Sequence, residues 1–461
     1  MKERAREERR ARPGSTIMNR RDGSGPYDGV EPAGRYASLD GLRGLMMLLG
    51  VYLHAGIAYS EHGSWPWKDG TTTAVFDISL GLIHVFRMPV FYVLAGFFAA
   101  LLLERWGCTG FIRNRAVRIL VPFAAGWLVL FPLVASLAVA AANLRDGGSG
   151  LAAALRVFTS LDILRRRPDP MHLWFLEYLL MFYVAAIAAA PLSRRLGGAV
   201  HRLDRRFRAN LTGPFAPFAL SMITWPILLF MENGAIDDTY GFAPDARIFA
   251  AYALFFAWGW LLWRNVDLLP ALRNASRAAL LLGAAAVVGL LGYFLWYWRG
   301  VHGGGMPLVF IASGWCLALS MWLFVFGLIG LFLSAIARPV PWIRYVADSS
   351  YWLYLAHMPV LLAFQILLAD SGWPPSLKAL AALSGSLVTL FASYHLLVRP
   401  TWVGAILNGR RYPIGPGREW RVRVTSPRRA LRARLTGGQR GERGLALDAE
   451  ADPRAALRQT Q

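Results

Sequence analysis

The stretch LDGLRGLMMLLGVYLHAGIAYS (39–60) decides the fold. It is apolar over roughly 20 residues, the length of one helical bilayer crossing, yet it holds Asp40, Arg43 and His54. Nine further apolar runs follow, at 74–103, 115–142, 171–191, 214–232, 246–263, 278–298, 306–336, 343–369 and 377–398. Backbone N–H and C=O groups in lipid must be satisfied inside the segment, and no alternating strand pattern is present. The expectation is an all-α, polytopic membrane protein of about ten transmembrane helices. Composition agrees: the 461 residues are 56% hydrophobic and only 17% charged, where a soluble chain carries about a quarter. That excludes an ordinary soluble enzyme, a disordered protein and a coiled coil.

Charge sets the orientation. With the N-terminus in the cytosol, and Arg115, Arg118, Arg247, Arg344 and Lys378 at span ends counted with the side they adjoin, 38 of the 49 Lys and Arg fall on the inner side and 9 outside, leaving Arg43 and Arg87 to the spans themselves. The positive-inside rule asks for this bias, and one missing span would invert it, so both termini are expected in the cytosol. The exception is the outer segment 143–170, where Arg165, Arg166 and Arg167 are flanked by Asp162 and Asp169. Three parts result: a basic cytosolic tail over 1–38 that composition marks as disordered, a membrane domain over 39–398, and a basic, mostly disordered cytosolic tail over 399–461. The net charge of +21 suggests nucleic acid at first sight. Its concentration in tails beside spans points instead to membrane lipids, and no nucleic-acid partner is expected. Cys108 and Cys316 are too few for a disulfide framework and belong to no metal motif.

Ionisable side chains within spans are expensive and are functional candidates by default. At 1.5 Å per helical residue, His54 lies about 16 Å beyond Arg43, His84 about 15 Å into the second span, and His357 about 21 Å into the ninth. Three spans thus bring imidazoles to similar depths. Asp40 and Arg43 are spaced for a neutralising pair. His84 and Arg87 share a face in HVFRMP (84–89). Arg113, Arg115 and Arg118 cluster at the inner end of the third span, a place where cationic anchors are ordinary. On the outer side, HLWFLEY (172–178) brings His172, Trp174 and Glu177 together, and Tyr351 precedes His357 in SSYWLYLAHMP (349–359). An unpaired carboxylate at the depth of Glu177 would pair or protonate.

Five segments in order resemble the acyltransferase family 3 of integral membrane enzymes: LDGLRGLMMLLGVYLH (39–54), HVFRMPVFYVLAGFF (84–98), FIRNRAVRILVP (111–122), HLWFLEYLL (172–180) and SYWLYLAHMPV (350–360). The likeness spans roughly 35–400 and is strongest to the subgroup that succinylates periplasmic glucans. It implies a multi-pass enzyme of the cell inner membrane that moves an acetyl or succinyl group from a cytosolic acyl-CoA to a hydroxyl of an extracytoplasmic glycan. Acyl-CoA would then be a co-substrate, with no permanently bound cofactor and no metal. Residue by residue, Arg43, Arg113, Arg115 and Arg118 would hold the polyanionic CoA headgroup, since guanidinium binds phosphate multidentately. His54 would be the general base, with Arg43 on the same helix. His84, Arg87, His172, Trp174, Glu177, Tyr351 and His357 would meet substrate, Arg87 taking the carboxylate of a diacid donor. The rival reading is a transporter or flippase for a glycan or lipid-linked intermediate, which would also keep charges mid-membrane. The hydropathy shows no internal repeat of the kind paired transporter halves leave.

Overall fold

The computed structural model describes residues 33–63, 65–145, 149–160, 168–195, 197–210, 213–231, 236, 239, 241–298, 306–409 and 411–412. Its elements are all helical, with no strand among the described residues. The chain divides into two compact units, Met1–Tyr394 and His395–Gln461.

The first unit holds α1 (Ala33–Ile57), α2 (Ala74–Arg115), a π-helical turn at Ala116–Leu120, α3 (Val121–Arg145), α4 (Gly150–Ser160), a 3₁₀ turn at Met171–Leu173 that leads into α5 (Trp174–Arg195), α6 (Gly197–Asn210), α7 (Ala216–Leu228), α8 (Ala246–Arg264), α9 (Leu269–Trp298), α10 (Met306–Ala335), α11 (Pro341–Leu367) and α12 (Pro375–Ser393). In the second unit, α13 (Trp402–Asn408) ends at Gly409, whose φ of 76° is the left-handed stop that glycine tolerates.

Helices occupy every segment read as a span. Seven stretches are long and apolar enough to cross a membrane: Ala74–Leu144, Met171–Ala190, Ala246–Arg264, Val266–Leu291, Phe310–Ala335, Pro341–Leu367 and Pro375–Val398. The first is 71 residues long, which at 1.5 Å per residue is about 107 Å, far more than a hydrocarbon core of about 30 Å. Gly107 interrupts it with φ 66° and ψ −179°, a kink that divides α2 before the chain passes to α3. Asp40, Arg43 and His54 dilute the apolar run of α1, and α7 has only 13 residues.

Two segments expected to be connections are instead amphipathic helices. The stretch 143–170 contains α4, and the stretch after α5 forms α6. In α6, Phe207 is wholly buried, and Arg264 donates to Asp204 at 2.6 and 3.1 Å, which holds that carboxyl below its ordinary range. At the other end of α8, Asp245 caps the helix by accepting from Arg247 N at 2.7 Å. The Arg247 side chain holds its carboxyl down to about 2.

The bundle packs α1 against α11, α2 against α8, and α9 against α10. The α2–α8 crossing needs glycine on both sides. A Cβ on Gly96 would lie 1.9 Å from the Phe256 carbonyl oxygen, and one on Gly259 1.9 Å from that of Val93. This contact brings an aromatic cluster (Tyr92, Phe175, Phe182, Tyr252 and Phe256) to the centre, with ring centroids 4.4–5.3 Å apart. The segment 161–167, with its three arginines, and the tails 1–32 and 413–461 lie outside the described residues.

Candidate active site

A helix end leaves its last carbonyls without intrahelical donors. At the end of α1 each finds another partner. Gly56 O accepts from Tyr59 N at 2.9 Å. Ile57 O accepts from Ser60 Oγ at 2.9 Å and Lys68 Nζ at 3.3 Å, and Lys68 also donates to the Ser60 carbonyl. The carbonyls of His54 and Ala55 accept from Gln365 Nε2 at 3.0 and 3.3 Å. Gln365 is wholly buried, and its Oε1 accepts from Trp65 Nε1 at 2.8 Å. The Trp65 ring lies 5.1 Å from the His54 ring at 30°.

His54 meets His357. Nδ1 of His54 is 2.7 Å from Nε2 of His357, and the two rings meet edge to edge and nearly coplanar, with centroids 4.9 Å apart and planes at 7°. The carbonyls of α11 assign the protons. His357 Nδ1 faces Leu353 O at 3.1 Å and Tyr354 O at 2.7 Å. Carbonyl oxygen only accepts, so this nitrogen carries hydrogen. In the neutral ring Nε2 is then a lone pair, which requires His54 Nδ1 to be the donor. His54 Nε2 is left unprotonated.

His172 completes the cluster. Its ring is 4.9 Å from that of His357 at 80°. Its Nε2 lies 3.2 Å from Leu355 O and donates to it, while its buried Nδ1 has no hydrogen-bond partner. The Tyr354 hydroxyl donates to His172 O at 2.8 Å. Met171, directly before, adopts φ 49°, a conformation rare outside glycine and expected where a structure holds a residue for function.

These three histidines line one cavity with Arg87, Trp174 and Tyr354. Arg87 crosses α1 at Gly50, where a Cβ would lie 2.4 Å from its Nη1. Gly50 is one turn before His54, so the guanidinium lies on the arginine-cluster side of the imidazole. Trp174 packs on Tyr252 at 6.0 Å and edge-on to Tyr178 at 5.8 Å.

Three turns back along α1, or about 16 Å, lies the arginine cluster. Arg43 pairs with Asp40 at 3.1 Å, as their spacing predicts, and both remain partly exposed. Arg115 sits between the rings of Phe111 and Tyr183, at 5.4 and 5.0 Å. The π-helical turn carries Arg118, on which Arg43 and Arg115 act as like charges and Asp348 as an opposite one. Like charges that act on one another favour a bound anion.

Not every expected residue joins these groups. His84 is exposed and is not among the cavity-lining residues. Arg113 is exposed on the turn before Arg115. Tyr351 donates to the Arg118 carbonyl at 2.9 Å, so it belongs to the arginine end and not beside the outer residues. Glu177 is half-buried on the same helix as Trp174, and Asp169 caps the loop ahead of it, accepting from Met171 N at 2.5 Å. Asp77 accepts from the backbone N–H groups of Glu61 and His62 at 2.8 and 3.0 Å.

Sequence reading missed Gln365 and Trp65. The available signal was a lone amide two turns after His357 in an apolar run. It also missed the ion pair of Lys378 and Asp69 at 3.2 Å, with side chains 4% and 2% exposed. Asp69 further accepts from Thr71 Oγ1 at 2.7 Å, and Lys378 donates to Ala369 O at 2.7 Å. The pair fixes the loop that holds Trp65.

The sequence model of a family described as an acyltransferase domain, acyltransferase family 3, matches residues 36–398. Among curated proteins, the chain is similar to the glucans biosynthesis protein C of Salmonella agona (strain SL483), of Salmonella paratyphi A (strain ATCC 9150 / SARB42) and of Salmonella heidelberg (strain SL476). Each is 25% identical over 341 residues, covering 72% of this chain and 84% of the relative. No solved structure matches.

Proposed function

The chain belongs to acyltransferase family 3, and from that premise we propose that it moves an acetyl or succinyl group from a cytosolic acyl-CoA to a hydroxyl of a glycan outside the inner membrane. Both termini then lie in the cytosol and about ten helices cross the bilayer. The observation that carries the reading is the His54–His357 contact at 2.7 Å. It leaves one unprotonated imidazole nitrogen in a cavity that also holds Arg87.

Arg43, Arg115 and Arg118 hold the CoA phosphates, and the pantetheine arm leads the thioester along α1 to His54. His54 Nε2 takes the proton of the glycan hydroxyl as its oxygen attacks the thioester carbonyl. The imidazolium that forms keeps its Nδ1–H on His357 Nε2, so no proton is stranded. The new C–O ester bond forms, the C–S bond breaks, and the proton returns to the departing CoA thiolate. Arg87 faces the acyl group and pairs with its carboxylate when the donor is a diacid. His172 Nδ1, Trp174 and Glu177 offer the glycan an acceptor nitrogen, an aromatic face and a carboxylate.

The glucan acceptor rests on the relatives named glucans biosynthesis protein C. The test is mass spectrometry of envelope glycans from cells with and without the protein, beside thiol release from succinyl-CoA and acetyl-CoA by purified protein with a soluble glucan. An ester that depends on the protein, with matching thiol release, is expected. Unchanged glycans together with no thiol release above the no-enzyme rate would overturn the reading.

A further inference from the structure

Gln365 and Trp65 reach His54 from two distant parts of the chain. Gln365 stands 311 residues beyond His54 and caps its carbonyl at 3.0 Å. The same amide accepts the indole N–H of Trp65 at 2.8 Å, and this bond holds the indole with its ring centroid 5.1 Å from that of the imidazole and the planes 30° apart. One buried side chain thus fixes both the backbone of the base and the ring that covers it.

We propose that Gln365 and Trp65 are positioning residues for proton transfer. Gln365 locks the end of α1 and clamps the indole against His54, and the indole face stabilises the imidazolium formed when His54 takes the hydroxyl proton. Attraction between a cation and an aromatic face within about 6 Å is strongest for Trp and grows when water is excluded. The ring gains this attraction only once charge develops, so it acts on the rate of transfer and not on donor binding. His357, on the other side of His54, supplies an acceptor for Nδ1–H and no aromatic cation stabilisation of comparable strength. The proposal rests on His54 being the base.

The test uses the purified full-length protein with succinyl-CoA and a soluble glucan, the product ester being followed by mass spectrometry. Trp65→Leu is expected to lower kcat about tenfold with the KM for succinyl-CoA within about twofold, as loss of a desolvated cation–π contact implies. Trp65→Phe keeps an aromatic face and is expected within about threefold of wild type. Gln365→Leu, which also uncaps the end of α1, should lower kcat at least as much as Trp65→Leu, and the double variant should be no slower than Gln365→Leu alone, because the two act through one device. Wild-type kcat in Trp65→Leu, or equal losses in Trp65→Phe and Trp65→Leu, would overturn the proposal. Should Gln365→Leu not fold, the two Trp65 variants still decide it. His54→Ala separates the premise: an active His54→Ala protein sinks the base assignment itself, whereas an inactive one beside a fully active Trp65→Leu sinks only the clamp.

Discussion

The two ends of the proposed path are built in opposite ways. At the histidine end the carbonyls of His54, Leu353, Tyr354 and Leu355 all have donors, and the imidazoles pass hydrogen bonds in one direction. At the arginine end, Arg43 and Asp40 are partly exposed, Arg115 leans on two aromatic rings, and Arg43 and Arg115 act on Arg118 as like charges. The His54–His357 pair is held by protein partners without substrate, as a group that must act at a fixed geometry requires, while the buried His172 Nδ1 has no hydrogen-bond partner. The second, on the proposed function, is where the charged carrier adds its own contacts. Chemistry is preorganised, and binding supplies what the free site lacks.

Substitutions at the two ends should therefore fail differently. The largest loss is expected for His54→Ala, about 10²–10⁴ in kcat, with thermal stability in detergent retained. Ester product by mass spectrometry and a thermal melt check it. Arg118→Gln should instead raise the KM for acyl-CoA by about 10–100-fold, the worth of charge-assisted hydrogen bonds, with kcat little changed. That penalty should shrink in high salt, which already screens the carrier's charge. Between the ends, Gly50→Ala pushes a methyl onto the Arg87 guanidinium, and an orientation lost by about 1 Å is expected to cost up to 10²-fold. If Arg87 pairs with a diacid, succinyl transfer falls more than acetyl transfer. Equal losses with the two donors would remove Arg87 from donor recognition. The smallest effect, under about twofold, is expected for Arg113→Gln, since an exposed cation on a solvated turn contributes little. A large KM effect there would redraw the carrier site.

Much of this was legible in the residues. Apolar runs of bilayer length announced the helices, and the cost of ionisable groups in lipid marked His54, Arg87 and His357 before any contact was known. Depth along an axis was legible too, because rise per residue is fixed. Azimuth between helices was not. His54, His84 and His357 share a level by arithmetic, yet only two of them touch, because packing and not periodicity decides which faces meet. Gln365 and Trp65 escaped because a neutral amide and an indole carry no charge penalty to betray them. Their roles exist only through partners 300 or more residues away. The kink at Gly107 was readable only as a break in hydropathy, whereas its positive φ belongs to the backbone.

The ion pair between Lys378 and Asp69 joins residues 309 positions apart. Synthesis runs from the first helix to the last, so Asp69 must wait for nearly the whole membrane domain before its cation is made. A carboxylate or ammonium withdrawn from water alone is strongly unfavourable, and the loop bearing Trp65 has no reason to settle until α12 inserts. The C-terminal end of the first helix to emerge is in this sense the last part of the enzyme to mature, and a nascent or truncated chain would carry its histidine without the means to use it.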